Sequence, residues 1–238
     1  MHEGAAGGLK ERYWRAYQWA MDFVDPFPYW RAADRHRCLF IHIPKTAGTS
    51  VLKALGARKR LHLDYSIYQL ADPQRFRDYY KFCFVRNPWD RALSTYRYFK
   101  GGGAGRVDEW FAARIAADYP TFERWVIDFL DESRVHEHPL LRPQYLYVYN
   151  IAGECMVDRV GRFESINEDF LEISRRIGLR NSLPYLNKSA PSAHGAGGHK
   201  RSAYAEQYTA ETAARIAALY REDCLRFAYD FDAPADAD

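Results

Sequence analysis

Apolar positions along this chain follow two spacings. Short, mostly apolar runs, Cys38 to Ile43 and Lys81 to Val85, read as buried strands. Large groups recurring every three or four residues predict helices at Leu9 to Val24, Val107 to Ala117, Thr121 to Leu130, Ile166 to Gly178 and Thr209 to Phe227. Lys59 to Leu63 alternates and reads as a short second strand. Glu154 to Arg162 reads as another, and Asp72-Pro73 opens a short helix through Tyr79. Val135 to Tyr149 mixes His, Pro and Tyr and follows neither spacing. Strands alternating with helices predict an α/β fold: a central, mostly parallel sheet flanked by helices, with ligands at the carboxyl ends of the strands. The main domain spans 38–231. A glycine-rich tail and a helix precede it over 1–37, and 232–238 is an acidic, disordered tail.

Two strand ends carry chemistry. After the first, Pro44 stops the ladder, Gly48 permits a tight turn, and Thr49 and Ser50 start a helix whose apolar face is Val51, Leu52 and Leu55. Strand, loop and helix aim backbone N–H groups and Lys45 at one spot, which suits a phosphate or sulfate. The spacing is not that of a Walker A loop, because the lysine precedes the glycine. The second strand ends at Arg86. Asn87 is a suitable N-cap, and Pro88 suits the first helical position. Arg86 and Ser94 lie eight residues apart, a guanidinium fork and a hydroxyl that suit a second phosphate.

Bulk properties narrow the setting. A chain of 238 residues, 47% hydrophobic and 27% charged, forms one sizeable soluble core. A formal charge of +3 does not call for nucleic acid as partner, so anion binding must come from local clusters. Cys38, Cys83, Cys155 and Cys224 form no C-x-x-C pair and no metal-ligand spacing. No apolar run reaches the length of a membrane span, and charges interrupt the N-terminal segment, so a cytoplasmic location is expected. Gly101 to Gly105 reads as a linker or a lid.

The stretch Pro44-Lys-Thr-Ala-Gly-Thr-Ser50 resembles the 5′-phosphosulfate loop of sulfotransferases that use 3′-phosphoadenosine 5′-phosphosulfate (PAPS). Phe84-Val-Arg-Asn-Pro-Trp-Asp-Arg-Ala-Leu-Ser-Thr-Tyr96 resembles their 3′-phosphate motif, and the two together are similar to the carbohydrate-type branch, family 2. Looser similarity lies in Arg142 to Gln144, Gly161 to Glu164, Leu183 to Asn187 and Tyr220 to Phe231, so the resemblance covers Cys38 to Phe231. It implies a P-loop-like three-layer fold and an O-sulfotransferase that uses PAPS and no metal. The acceptor would be a hydroxyl, of a glycan or glycolipid.

By the same resemblance, Lys45, Thr46, Ala47, Gly48, Thr49 and Ser50 hold the 5′-phosphosulfate, and Arg86 and Ser94 hold the 3′-phosphate. Lys200 and Arg201 match by position a basic loop that covers the 3′-phosphate, and are equally a solvated loop. Lys45 would also steady leaving-group charge, and His62 would be the general base, with His136 and His138 behind it. His42, Asp90 and Arg91 read as structural, the last two pinning the helix start. Glu164 is either structural or faces the acceptor. Two other readings stand beside this one. An ATP-dependent phosphotransferase would need a metal-binding aspartate, for which Asp158 is a weak stand-in. The other is a non-catalytic glycan- or nucleotide-binding relative.

Overall fold

The computed structural model describes residues 27–57, 61–104, 106–179, 183 and 203–231. The N-terminal helix, Lys200, Arg201, the acidic tail and nearly all of Leu183 to Asn187 lie outside them.

Among the described residues the sheet has three strands: β1 (Cys38–Ile41), β2 (Tyr80–Val85) and β3 (Arg159–Arg162). They are parallel and ordered β1-β2-β3, with Cys38 opposite Tyr80 and Phe82 opposite Arg159. Central β2 is a continuous apolar run, as expected for a parallel strand covered on both faces. Phe82, Cys83, Phe84 and Val85 are all buried. Gly161 interrupts β3 because the Phe84 ring lies there; a Cβ would come within 2.6 Å of it.

The helices are α1 (Arg31–His36), α2 (Gly48–Ala54), α3 (Tyr65–Ala71), α4 (Pro73–Asp78), α5 (Pro88–Lys100), α6 (Arg106–Asp118), α7 (Ile166–Arg176), α8 (Ala210–Leu219) and α9 (Arg221–Phe227). Local chemistry explains several starts. Asp72 caps α4 through the Gln74 and Arg75 amides, and Asn87 caps α5 through those of Trp89 and Asp90. In each case proline takes the first helical position. The mixed helix and parallel-sheet architecture matches the α/β expectation.

Four elements differ from the sequence reading. Residues 61–63 form no strand and join no ladder; β1 pairs directly with β2. Asp64 instead caps α3 by accepting from the Ser66 amide. The strand placed at Glu154 to Arg162 shrinks to β3, and Cys155 makes one antiparallel bridge to Tyr149. The helix at Thr121 to Leu130 is a turn at Phe122–Arg124 followed by a π-helical turn at Trp125–Phe129. The C-terminal helix breaks at Tyr220 into α8 and α9, and Tyr220 uses its hydroxyl to donate to the Leu141 carbonyl.

The C-terminal helices are tied to the end of β2 by one buried relay. Gln144 accepts from the Arg86 amide at 2.9 Å and donates to the Arg86 carbonyl at 2.8 Å, standing in for a further strand residue. Asp223, fully buried in α9, accepts from the Gln144 amide, the Tyr145 amide and the Gln144 side chain. Burial raises the Asp223 carboxyl above its ordinary pKa, opposed by Arg91 and these donors. Asp223→Ala leaves buried donors unsatisfied and should cost on the order of 3 kcal/mol in urea unfolding. Gln144→Ala added to it should cost less than it does alone, since both act through one relay.

Candidate active site

Parallel strands end together, so the chain leaving β1 and the chain leaving β2 meet at one edge of the sheet. The β1 loop carries two non-glycine residues in the left-handed region, Lys45 at φ 69° and Ala47 at φ 60°. Each such residue costs on the order of 1–3 kcal/mol and persists only where its surroundings impose it. Here the surroundings are explicit. Thr46 donates its hydroxyl to the Ile43 carbonyl at 2.8 Å. Arg91 Nε donates to the Pro44 carbonyl at 3.3 Å, and Arg86 Nη1 to the Lys45 carbonyl at 3.1 Å. Left-handed residues in a loop are the backbone from which a nest, a concavity of N–H groups that suits an anion, is built. Gly48, opening α2, lies on the His42 imidazole so closely that a Cβ would overlap the ring.

Arg86 is held on three sides. Its Nε pairs with Asp90 at 2.8 Å, its Nη1 reaches the loop, and its guanidinium lies 4.1 Å from the centre of the Phe163 ring. Ser94, partly exposed, is one helical turn beyond Asp90 on the same face of α5. Arg91 is 2% exposed and also donates to the Leu140 and Arg142 carbonyls. It therefore pins the loop and the 140–142 segment rather than the start of α5. Asp90 serves Arg86. Glu164 is structural: it accepts from the Asn87 amide at 2.7 Å and from the Tyr229 hydroxyl at 2.8 Å.

Lys45 lies with Nζ 4.5 Å from the centre of the Tyr98 ring. Burial, then the charges of Arg86 and Arg91, lower its pKa to about 8, while Asp108 opposes the shift. His62 reaches the same edge: its Nδ1 is 3.2 Å from the His42 carbonyl and its ring centre 4.3 Å from that of His42. A carbonyl can only accept, so His62 carries its neutral-state hydrogen on Nδ1 and keeps a lone pair on Nε2. Burial lowers the His62 pKa against the pull of the His42 carbonyl and Asp108.

The other histidines separate cleanly. His138 is 4% exposed, takes the Leu140 amide on Nδ1, and gives Nε2–H to Asp108 at 3.0 Å. Both nitrogens are committed. His136 is exposed on a 3₁₀ turn. His42 packs in the interior, its ring stacked on Phe40. Lys45, Thr46, Ala47, Gly48, Arg86 and His62 thus gather at one edge, and Thr49, Ser50 and Ser94 follow on the two helices leaving it. Asp158 sits at the other end of the sheet, before β3, where it accepts from the Lys81 amide and pairs with the Lys81 ammonium. That is the wrong end for a metal-binding aspartate beside Lys45.

Sequence reading missed Asp108 and Tyr98. Tyr98 donates its hydroxyl to Asp108 Oδ2 at 2.5 Å, and the Lys45 ammonium rests over its ring. An acid in the first turn of a helix reads as ordinary end charge, and a tyrosine beside Phe99 reads as core. The one available signal was the glycine run before α6, since Gly103 at φ 68° lets the loop pass where a Cβ would come within 2.8 Å of the Asp108 Cβ.

A left-handed loop bearing a lysine is thus bonded to an arginine from the next strand end, the two strand-end motifs lying side by side. The model of the sulfotransferase family matches residues 29–230, and the chain belongs to that family. Carbohydrate sulfotransferase 14 of Homo sapiens is 31% identical over 170 residues, covering 58% of this chain and 43% of that protein. Its Danio rerio counterpart is 29% identical over 180 residues, covering 61% of this chain and 47% of that protein. Carbohydrate sulfotransferase 11 of Rattus norvegicus is 26% identical over 235 residues, covering 82% and 65%. The chain thus spans less than half the length of the carbohydrate sulfotransferase 14 relatives. No solved structure shows a significant match. Among the described residues no helix is long and apolar enough to cross a membrane.

The Gly48–His42 contact is directly testable. Gly48→Ala forces a methyl into a ring wedged between Phe40 and His62 and should lower stability by about 1–3 kcal/mol, read by urea unfolding. Adding His42→Ala, which removes the ring, should restore part of the loss.

Proposed function

We propose that this chain is an O-sulfotransferase, moving a sulfuryl group from PAPS to a hydroxyl of a saccharide. One observation carries the reading: the nest at Lys45 to Gly48 and the Arg86 guanidinium are joined by a hydrogen bond, Arg86 Nη1 to the Lys45 carbonyl. Two anion-binding devices fixed at that closeness suit a nucleotide with phosphates at both the 5′ and 3′ positions. The residues fit such a donor on their own chemistry. Left-handed Lys45 and Ala47 shape a concavity of N–H groups, glycine at 48 lets the backbone approach, and the cations outnumber the carboxylates. Saccharide as acceptor is the reading that the names of the relatives favour. We extend the sheet and its helices to the three-layer, P-loop-like arrangement for the whole domain.

When bound, PAPS supplies a sulfuryl group activated by its bond to phosphate. The chain supplies the rest. Lys45 offsets charge on the leaving oxygen, a contribution greatest in the transition state. The amides from Thr46 to Ser50 orient the 5′ end, and Arg86 with Ser94 holds the 3′-phosphate. His62 takes the acceptor proton on Nε2 while Nδ1–H, held by the His42 carbonyl, keeps the ring turned. His138 has no nitrogen to spare for that task.

Calorimetry with desulfated PAPS (PAP) tests the 3′ site. Arg86→Ala should weaken PAP by roughly 1.5–3 kcal/mol and adenosine 5′-phosphosulfate, which lacks the 3′-phosphate, much less. Equal losses would take Arg86 out of that site.

The pH profile tests the two titrating groups. His62 must be neutral, and its pKa is lowered, so kcat/KM should fall only as pH drops through a value below the ordinary histidine range. Lys45 must be charged, so kcat/KM should fall again as pH rises through about 8. His62→Ala should lose roughly 10²- to 10⁴-fold in kcat and the acid limb with it, and keep PAP affinity. Near-parental turnover in that variant, with chemistry rate-limiting, would remove His62 from the mechanism.

A further inference from the structure

Three positive side chains crowd the sulfuryl-transfer edge, and their partners differ. Arg86 has Asp90 at 2.8 Å. Arg91 is spent on the carbonyls of Pro44, Leu140 and Arg142. Lys45 has an aromatic face, Tyr98, whose hydroxyl donates to Asp108. The second oxygen of the same carboxylate receives Nε2–H of His138 at 3.0 Å. His138 is itself fixed by the Leu140 amide and lies between the Phe99 and Phe111 rings. One partly buried carboxylate therefore joins α5, α6 and the 138–140 segment behind the lysine.

Resting on the function proposed above, we propose that Asp108 is the positioning residue of this site: through Tyr98 it seats the Lys45 ammonium, and through His138 it ties the 138–140 segment to the same carboxylate, acting as counter-charge to the ammonium. A phenol hydrogen-bonded to a carboxylate gains electron density, which strengthens the attraction of its ring for an ammonium. A purely structural Asp108 would need only the hydrogen-bond geometry, which an asparagine can supply in part. A counter-charge needs the charge itself.

The groups that face Lys45 are Arg86, Arg91 and Tyr98, with Asp108 opposing the two arginines. His62 touches the His42 carbonyl and feels the charges of Asp108, His138 and Arg91. Asp108 favours the charged form of both Lys45 and His62, so its loss makes both surrender protons more readily. The sign is the same for both limbs of the pH profile. Without the carboxylate charge, the acid limb moves down because His62 is less basic, and the alkaline limb moves down because Lys45 deprotonates sooner. The whole bell moves toward acid. Loss of packing alone would lower the bell and leave it in place.

The decisive experiment follows the Lys45 ¹³Cε shift against pH in the full chain, with Lys45→Met identifying the signal. Asp108→Asn should move the titration below the parental midpoint of about 8. Asp108→Ser is the second neutral variant should the asparagine chain not fold. A midpoint that stays at the parental value in a folded variant overturns the proposal. This titration needs neither donor nor acceptor, so it judges Asp108 separately from the function. Absence of PAPS-dependent transfer by the parent chain would strike the proposed function and leave the Lys45 result standing. With turnover in hand, Asp108→Asn should shift both limbs to lower pH and lower kcat about tenfold or more with donor KM nearly unchanged. Limbs that stay in place would also refute the assignment.

Discussion

The loop after β1 is held in a conformation it would not keep alone, and two arginines hold it. Lys45 and Ala47 lie in left-handed backbone without being glycine. The carbonyls of Pro44 and Lys45 are turned back onto Arg91 and Arg86, which arrive from the end of β2 and the first turn of α5. The strain and its restraint are thus in different parts of the sequence, brought together because parallel β1 and β2 end at the same edge. The outcome is a loop whose carbonyls at Ile43, Pro44 and Lys45 are all satisfied by side chains. The arginines thereby serve two ends, satisfying backbone carbonyls and placing positive charge beside Lys45.

That edge is anchored to the far end of the chain. Gln144 closes on both backbone groups of Arg86, Asp223 closes on Gln144, and Glu164 ties Asn87 to Tyr229. Asn87 adds a bond to the Asp230 carbonyl. Stability of the C-terminal helices and geometry at Arg86 are therefore coupled through buried, hydrogen-bonded polar groups, which are costly to leave half-satisfied. The relay from α9 thus ends on the backbone of Arg86.

The electrostatics follow from the same crowding. Burying a lysine beside two arginines favours its neutral form, and Asp108 restrains that tendency. The His62 proton is placed by plainer means: a carbonyl fixes the tautomer, and burial keeps the ring neutral at physiological pH.

The two strand-end motifs were legible as local structure because each is local. Proline ending a strand, lysine, glycine, hydroxyl residues, and then Arg86 followed by an Asn-Pro helix start act through chemistry within a few residues. The two buried strands and most helix starts were legible for the same reason. Residues 61–63 were misread as a strand because alternation says nothing about whether a segment meets a neighbouring strand: among the described residues β1 pairs with β2 alone, and residues 61–63 join no ladder. The role of Arg91 was misplaced because its carbonyl partners lie 47 to 51 positions away. Asp108 and Tyr98 carry no local sign at all; their importance comes from meeting Lys45 and His138 across three segments. By itself the sequence determined which groups could bind an anion and at which strand ends. Tertiary structure alone decided which histidine keeps a lone pair and which carboxylate faces the lysine. Those depend on distances of about 3 Å between residues far apart in the chain, and only the packing of the sheet and its helices sets them.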